Sequence, residues 1–303
     1  MKIGLLTLGI GRAARPSTVR LLADHCERLG FGTLWAPEHV VLFDRYPDTK
    51  YPYSADGAFA VPSTTDWADP FVALSYVAAR TSRIRLATGI CLVPEHNPLV
   101  LAKVIASLDY LSGGRFALGV GIGWSSEEFA ALGVPFERRG QRTREYIDVM
   151  RQLWSEEKTT FSGEFVNFKD ARLFPKPPQG ARLPIIFGGE SGPALRRVAD
   201  YGTGWFGFNL NPEQAAAKVA RLKELMRERK RDISAVELIV SPYLQNVTRE
   251  DLAGYREAGV REVVMLCPPP EDDAELTPIL ERLAREWVEP AAKLARSTAL
   301  AAC

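Results

Sequence analysis

Short apolar runs of strand length alternate with runs of helical period along most of the chain. Lys2 to Leu8 is the first apolar run, and the loop residues Gly9, Gly11 and Pro16 follow it. From Pro16 the pattern is helical. Val19, Leu22, Ala23, Cys26 and Leu29 share one face, and Gly30 stands where a C-cap is expected. Thr33 to Ala36 is a second strand. The Pro-, Tyr- and Asp-rich stretch from Glu38 to Asp66 has no period. Asp69 and Pro70, an N-cap and a first helical residue, open the run FVALSYVAART. Ile84 to Val93 reads as a strand. Asn97 and Pro98 then open a helix to about Leu111, and Arg115 to Val120 is the next strand. The alternation continues with Pro184 to Phe187, Pro193 to Tyr201, Gly204 to Phe208 and Pro212 to Lys230. It closes with Glu237 to Ser241, Arg249 to Ala258, Glu262 to Leu266 and a last helix over about 274–295.

Eight strand-like runs, most followed by a helical run, predict a parallel sheet, and at this length a (β/α)8 TIM barrel. A doubly wound sheet of two lobes is the competing architecture. No linker divides the chain, so residues 1–303 read as one domain. Its insertions are the 38–66 loop and a segment from about 124 to 182, the latter with a small hairpin (Thr159 to Phe168) and a loop at Lys176 to Gly180.

Composition narrows the class. A net charge of +1 argues against general nucleic-acid or acidic-membrane binding. No stretch approaches the ~20 apolar residues of a membrane span, and MKIGLLTLGI lacks the layout of a signal peptide. Cys26, Cys91, Cys267 and Cys303 lie far apart, with neither a CxxC pair nor a disulfide frame. The expectation is a reduced, cytoplasmic, soluble protein without a membrane or nucleic-acid partner.

In such barrels the site lies at the C-terminal ends of the strands. That rule selects Pro37, Glu38 and His39 after the second strand, and Thr88, Gly89 and Ile90 in the third, with Pro94 to Asn97 beyond it. It also selects the GVGIG run (119–123) with Trp124, and Gly188 to Gly192. Of the three histidines, His25 falls within the first helix. His39 immediately follows a strand and faces either the mouth or its own loop backbone. His96 reads as part of a helix start. The GVGIG run lacks the register of a dinucleotide fingerprint. Its glycines either let a flat ring lie close to the backbone or make a tight turn. In GGESGPALRR, amide N–H groups at a helix start, with Ser191, form an anion site suited to a phosphate; the alternative is N-capping by Ser191 alone. The charged run 227–231 reads as solvated surface, and Cys26 and Cys91 as buried apolar residues. No ligand spacing points to a metal, and no GxSxG elbow or P-loop lysine is present.

With these residues in place, the chain resembles the luciferase-like flavin and deazaflavin oxidoreductases, in particular the coenzyme F420-dependent branch. The matching segments are GFGTLWAPEHVV (30–41), the stretch from DPFVALSYVAART to GVPFERRG (69–140), and LPIIFGGESGPALRRVADYGTGWF (183–206). The resemblance implies a (β/α)8 barrel, a homodimer, and a ring cofactor across the barrel mouth. It also implies a non-proline cis peptide at Gly89 and Ile90, against the ring's face. By the same matching, Glu38 and His39 lie near the reactive edge, Ile122 and Gly123 line its surroundings, and Gly188, Gly189 and Ser191 hold the phosphate of the cofactor tail. Related sugar-phosphate dehydrogenases carry a glutamate where this chain has Trp124, which cannot transfer a proton at neutral pH. That departure argues against a sugar-phosphate role.

Hydride transfer between F420 and a small organic substrate is the reading these expectations favour. His39 would carry the accompanying proton, and Glu38 would orient it or hold its charge. The 38–66 loop, with Tyr46, Tyr51, Tyr53 and Phe59, would cover the substrate, and Trp124 with Tyr51 and Tyr53 would wall its pocket. Trp35 is either wall or core. Two alternatives remain open from sequence: an FMN-dependent monooxygenase, and a barrel that binds flavin without catalysis.

Overall fold

In a computed structural model the structure describes residues 1–294. Cys303 and the expected end of the last helix at Ala295 lie outside them. The strands are β1 (Lys2–Leu6), β2 (Thr33–Ala36), β3 (Arg85–Thr88), β4 (Cys91–Leu92), β5 (Phe116–Gly121), β6 (Thr159–Ser162), β7 (Asn167–Ala171), β8 (Ile185–Gly188), β9 (Gly204–Phe208), β10 (Glu237–Ser241) and β11 (Glu262–Met265). The main sheet runs β3-β2-β1-β11-β10-β9-β8-β5-β4, and a β3–β5 pairing closes it. All its pairings are parallel, and the closing register sets Leu86 opposite Phe116 and Ala87 opposite Ala117. β3 and β4 are two halves of one stave, so eight staves make a closed (β/α)8 barrel. Closure excludes the doubly wound alternative. The expected single strand Ile84 to Val93 is interrupted at Gly89–Ile90, whose peptide bond is cis.

The helices are α1 (Pro16–Leu29), α2 (Pro70–Ala78), α3 (Pro98–Leu111), α4 (Ser126–Ala131), α5 (Arg139–Ser155), α6 (Gly192–Tyr201), α7 (Pro212–Glu228), α8 (Asp251–Glu257) and α9 (Leu276–Leu283). Their starts follow the capping chemistry of the sequence. Asp69 accepts from Val72 N at 2.8 Å, Asn97 accepts from Leu99 N at 3.0 Å, and Asn211 with Gln214 forms a capping box. Gly30 ends α1 at φ 79, where a side chain would be strained. The segment 124–182 is more regular than expected, because α5 buries Ile147, Met150, Leu153 and Trp154 on one face. The expected hairpin is β6 and β7, paired antiparallel.

Two cores result. The larger lies between strands and helices and includes Leu22, Leu74, Ile105 and Met150. The smaller fills the barrel itself with Leu6, Trp35, Ala87, Ala117, Ile186, Phe206, Ile239 and Val264. Each large side chain so buried contributes about 1.5–3 kcal/mol. Trp35 therefore belongs to the barrel core, not to the wall of a pocket. Strand alternation puts Arg85, Glu237 and Glu262 one layer below this core, toward the N-terminal end. Gly89 caps it above: a Cβ there would lie 2.9 Å from Leu6 Cδ1 and 3.1 Å from Trp35 Cβ.

Candidate active site

Parallel strands deliver Glu38 and His39, Gly89 and Ile90, Ile122 to Trp124, and Gly188 to Ser191 to the same end of the barrel. Adjacent residues on an extended segment point to opposite sides, and Glu38 and His39 part accordingly. Glu38 is buried. Its Oε2 accepts from Leu92 N at 2.6 Å, and its Oε1 lies 2.9 Å from His96 Nε2. His39 Nδ1 lies 2.8 Å from Glu128 Oε2, while Glu128 Oε1 accepts from Val40 N at 2.6 Å and Val41 N at 3.2 Å. The residue that orients His39 is thus Glu128, not Glu38 as expected. His96 is not merely part of a helix start but the partner of Glu38.

Burial disfavours the Glu38 carboxylate, yet the hydrogen bond and charge of His96, with Leu92 N–H and the Cys91 thiol, hold it below the usual carboxylate range. Burial likewise pulls His96 down, and Glu38 with Asp69 more than compensates, leaving His96 above its ordinary value. Glu38, Cys91 and His96 place an oxygen, a sulfur and a nitrogen within 4.8 Å of one another, a metal-type donor set that the linear spacing hid. Here Glu38 accepts hydrogen bonds from both partners, which closes the set. Glu95, beside them, is buried and raised to about 9 by burial first and then by Glu128 and Glu38.

The glycines serve close packing as well as turns. Cβ atoms at Gly121 and Gly188 would lie 2.8 and 2.6 Å from Ile90 Cδ1, so those glycines admit the Ile90 side chain. Gly123, at φ 75, leaves room for Glu95 and Phe129. Gly189 N donates to Phe206 O at 3.3 Å. Ile122 is half-buried beside them.

The 38–66 loop folds back over this end. Asp48 N and Thr49 Oγ1 donate to Glu127 at 2.9 and 2.6 Å, and Tyr53 OH donates to Glu190 Oε2 at 3.0 Å. His39 meets the rings of Phe59, Trp67 and Trp124 at centroid distances of 5.2, 5.1 and 6.0 Å. Tyr51 touches Phe59 and Trp124, and Tyr53 touches Phe208. His39 is left with a side chain 9% exposed.

An anionic arm fits the start of α6. Ser191 Oγ accepts from Ala194 N at 3.3 Å, while the amide N–H groups of Ser191 and Gly192 have no protein acceptor among the described residues. Both residues are exposed. The neighbouring Glu190 carboxylate accepts from Phe208 N at 2.7 Å and from Tyr53 OH at 3.0 Å.

Sequence reasoning placed Glu95 and Glu190 at this end without assigning them a role, and it missed Glu128 and Glu127. Glu127 and Glu128 follow Ser125, which caps α4 just beyond β5, and that position was the available signal.

Comparison with known proteins agrees with the architecture. An uncharacterized protein of Mycobacterium tuberculosis is 34% identical over 287 residues, covering 94% of this chain and 98% of that protein. The F420-dependent glucose-6-phosphate dehydrogenase of Kineococcus radiotolerans is 34% identical over 192 residues, covering 61% of this chain and 51% of that one. A solved structure of the oxygenating constituent of 3,6-diketocamphane monooxygenase from Pseudomonas putida, in complex with FMN, superposes with a TM-score of 0.71 at 16% identity. It covers 95% of this chain and 98% of that one. Residues 1–302 match the luciferase-like monooxygenase family, and the chain belongs to it.

Proposed function

We propose that this protein transfers a hydride between coenzyme F420 and a small organic substrate. The observation that carries this reading is the His39–Glu128 pair at 2.8 Å, set at the C-terminal end of β2 beneath an aromatic loop. Hydride transfer to or from an organic carbon is commonly accompanied by a proton, and a histidine oriented by a carboxylate suits that task. Similarity to the F420-dependent glucose-6-phosphate dehydrogenase supports a deazaflavin. Trp124 argues for a substrate other than a sugar phosphate.

The bound deazaflavin would supply the hydride chemistry. Ser191 and Gly192 N–H would hold its phosphate, helped by the positive end of α6. Ile90 and Gly188 would back the ring. Glu128 holds His39 in one tautomer and orientation, and His39 moves the proton at Nε2. Tyr51, Tyr53 and Trp124 exclude water once the loop has closed over substrate.

The protein would act as a homodimer. Val72, Tyr76, Val100, Tyr110 and Leu111 on or beside α2 and α3 are exposed apolar side chains that a second copy would cover. Sedimentation of the wild type and Val100→Lys tests this, with a dimer and a monomer expected. Among the described residues no helix is long and apolar enough to cross a membrane.

Fluorescence titration with oxidised F420 tests the cofactor. Saturable binding is expected. No binding, combined with oxygen consumption driven by reduced FMN, would assign the monooxygenase reading instead. Binding with turnover unaffected by His39→Ala would leave the barrel without the proposed proton carrier.

A further inference from the structure

β9 and β10 carry a second layer of side chains above the barrel core. Phe206 and Ile239 are register partners inside that core, and two residues on Phe208 pairs with Ser241. A two-residue step keeps a side chain on the same face of a strand, so Phe208 and Ser241 stand one level higher, at the mouth. Phe208 is half-buried, with its ring centroid 6.3 Å from that of Phe206. Ser241 is fully buried, and its Oγ has no hydrogen-bond partner among the described residues. A hydroxyl taken out of water without a replacement partner costs stability.

Tyr243 follows two residues later, in a turn closed by Gln245 N donating to Pro242 O at 2.9 Å. Its φ is 52. Gly or Asn ordinarily supplies a positive φ at that turn position, and a bulky residue there is strained. The turn is pinned to the loop after β9: Asn209 Oδ1 accepts from Leu244 N and from Gln245 Nε2, each at 3.3 Å. Its effect is to set the Tyr243 ring 4.4 Å from that of Phe208. The Tyr243 phenol makes no hydrogen bond among the described residues. From Phe208 a row of rings crosses the mouth toward His39, with Tyr53 at 4.9 Å, Tyr51 5.6 Å further on and Trp124 5.3 Å beyond it. Strain of this kind gathers where a ligand is held.

We propose that Phe208, Ser241 and Tyr243 form a substrate subsite that takes a planar ring conjugated to a carbonyl group. The subsite rests on the reading of this end as the active site and names the class of substrate it receives. The ring lies against Phe208 and Tyr243, whose faces offer a flat apolar surface. Ser241 Oγ donates to the carbonyl oxygen, which supplies the partner the hydroxyl lacks. Tyr243, held by ring contact alone, rotates to admit that oxygen and stays against the guest. An aromatic hydrocarbon would leave the Ser241 hydroxyl unpaired, and a saturated ketone would lose the stacking.

The test is a ligand-observed NMR titration of the ligand-free full chain with 1-indanone, indane and cyclohexanone. The wild type is expected to bind 1-indanone more tightly than either of the others. Ser241→Ala should weaken 1-indanone about fivefold and leave indane unchanged. Its Tm should rise, because the unpaired hydroxyl is gone. Tyr243→Asn suits the turn and should weaken both ring compounds. A lower Tm in Ser241→Ala would give that hydroxyl a structural partner and overturn the proposal. Equal affinities for 1-indanone and cyclohexanone, or a 1-indanone affinity that neither variant changes, would also overturn it. Failure of F420 to bind, with the variant effects on 1-indanone intact, would remove the deazaflavin reading and leave the subsite standing.

Discussion

The two ends of the barrel handle buried charge differently. At the N-terminal end the charged groups satisfy one another. Arg85 Nη1 donates to both oxygens of Glu237 at 2.9 and 2.8 Å, and Glu262 accepts from Trp35 Nε1 and Thr33 Oγ1, each at 3.1 Å. At the C-terminal end two histidine–carboxylate pairs flank a third carboxyl that has no hydrogen-bond partner among the described residues. The closed network below serves stability. The upper one leaves a buried carboxyl unsatisfied, at the end where this fold carries its sites.

The largest expected contrast is in turnover. His39→Asn should lower the rate of F420-linked hydride transfer by about 10²-fold or more while leaving the cofactor affinity intact. Glu262→Gln, at the other end, should leave both unchanged. A comparable loss of rate in both variants would dissolve the distinction between the ends.

Next in size is stability at the upper end. Glu38→Leu strands His96 and removes the acceptor of Leu92 N–H, and it should cost about 3 kcal/mol in urea unfolding, toward the low end for a buried pair because His96 is partly exposed. The pair also sets a pH window. Glu38 lies below 4.5 in the folded state, so its contribution is full above 4.5 and is lost as pH falls through the folded value. His96 lies above 6.5, so its contribution is full below 6.5 and is lost as pH rises through the folded value. The stability gap between wild type and variant should therefore be greatest between 4.5 and 6.5.

Arg85→Ala should cost less, about 1 kcal/mol, because that pair retains some exposure. F420 affinity should not change. The smallest effect is expected at the loop. Tyr53→Phe removes one tether to Glu190, about 1 kcal/mol, and should speed F420 association roughly fivefold in stopped flow.

Much of this was legible in the chain itself. Helix starts at Asp69, Asn97 and Asn211 are written in local chemistry, and the alternation of strand and helix specified the barrel. His39 and Ser191 were identifiable because position after a strand puts a residue at one end of the fold. The partners were not legible. Glu128 reaches His39 across 89 residues and Glu38 reaches His96 across 58, and no local period carries such pairings. Position placed Glu95 at this end too, but did not show its burial. That Gly123 packs over its carboxyl depends on the closed barrel, which no local pattern carries.

The central claim is that the upper end of the barrel binds a redox ring with its phosphate at the start of α6. A crystal structure of the protein with oxidised F420 tests it most directly. The expected result has the ring between His39 and Ile90, the loop displaced from His39, and the phosphate on the Ser191 and Gly192 N–H groups. A coenzyme bound elsewhere, with the aromatic loop still packed on His39, would contradict it.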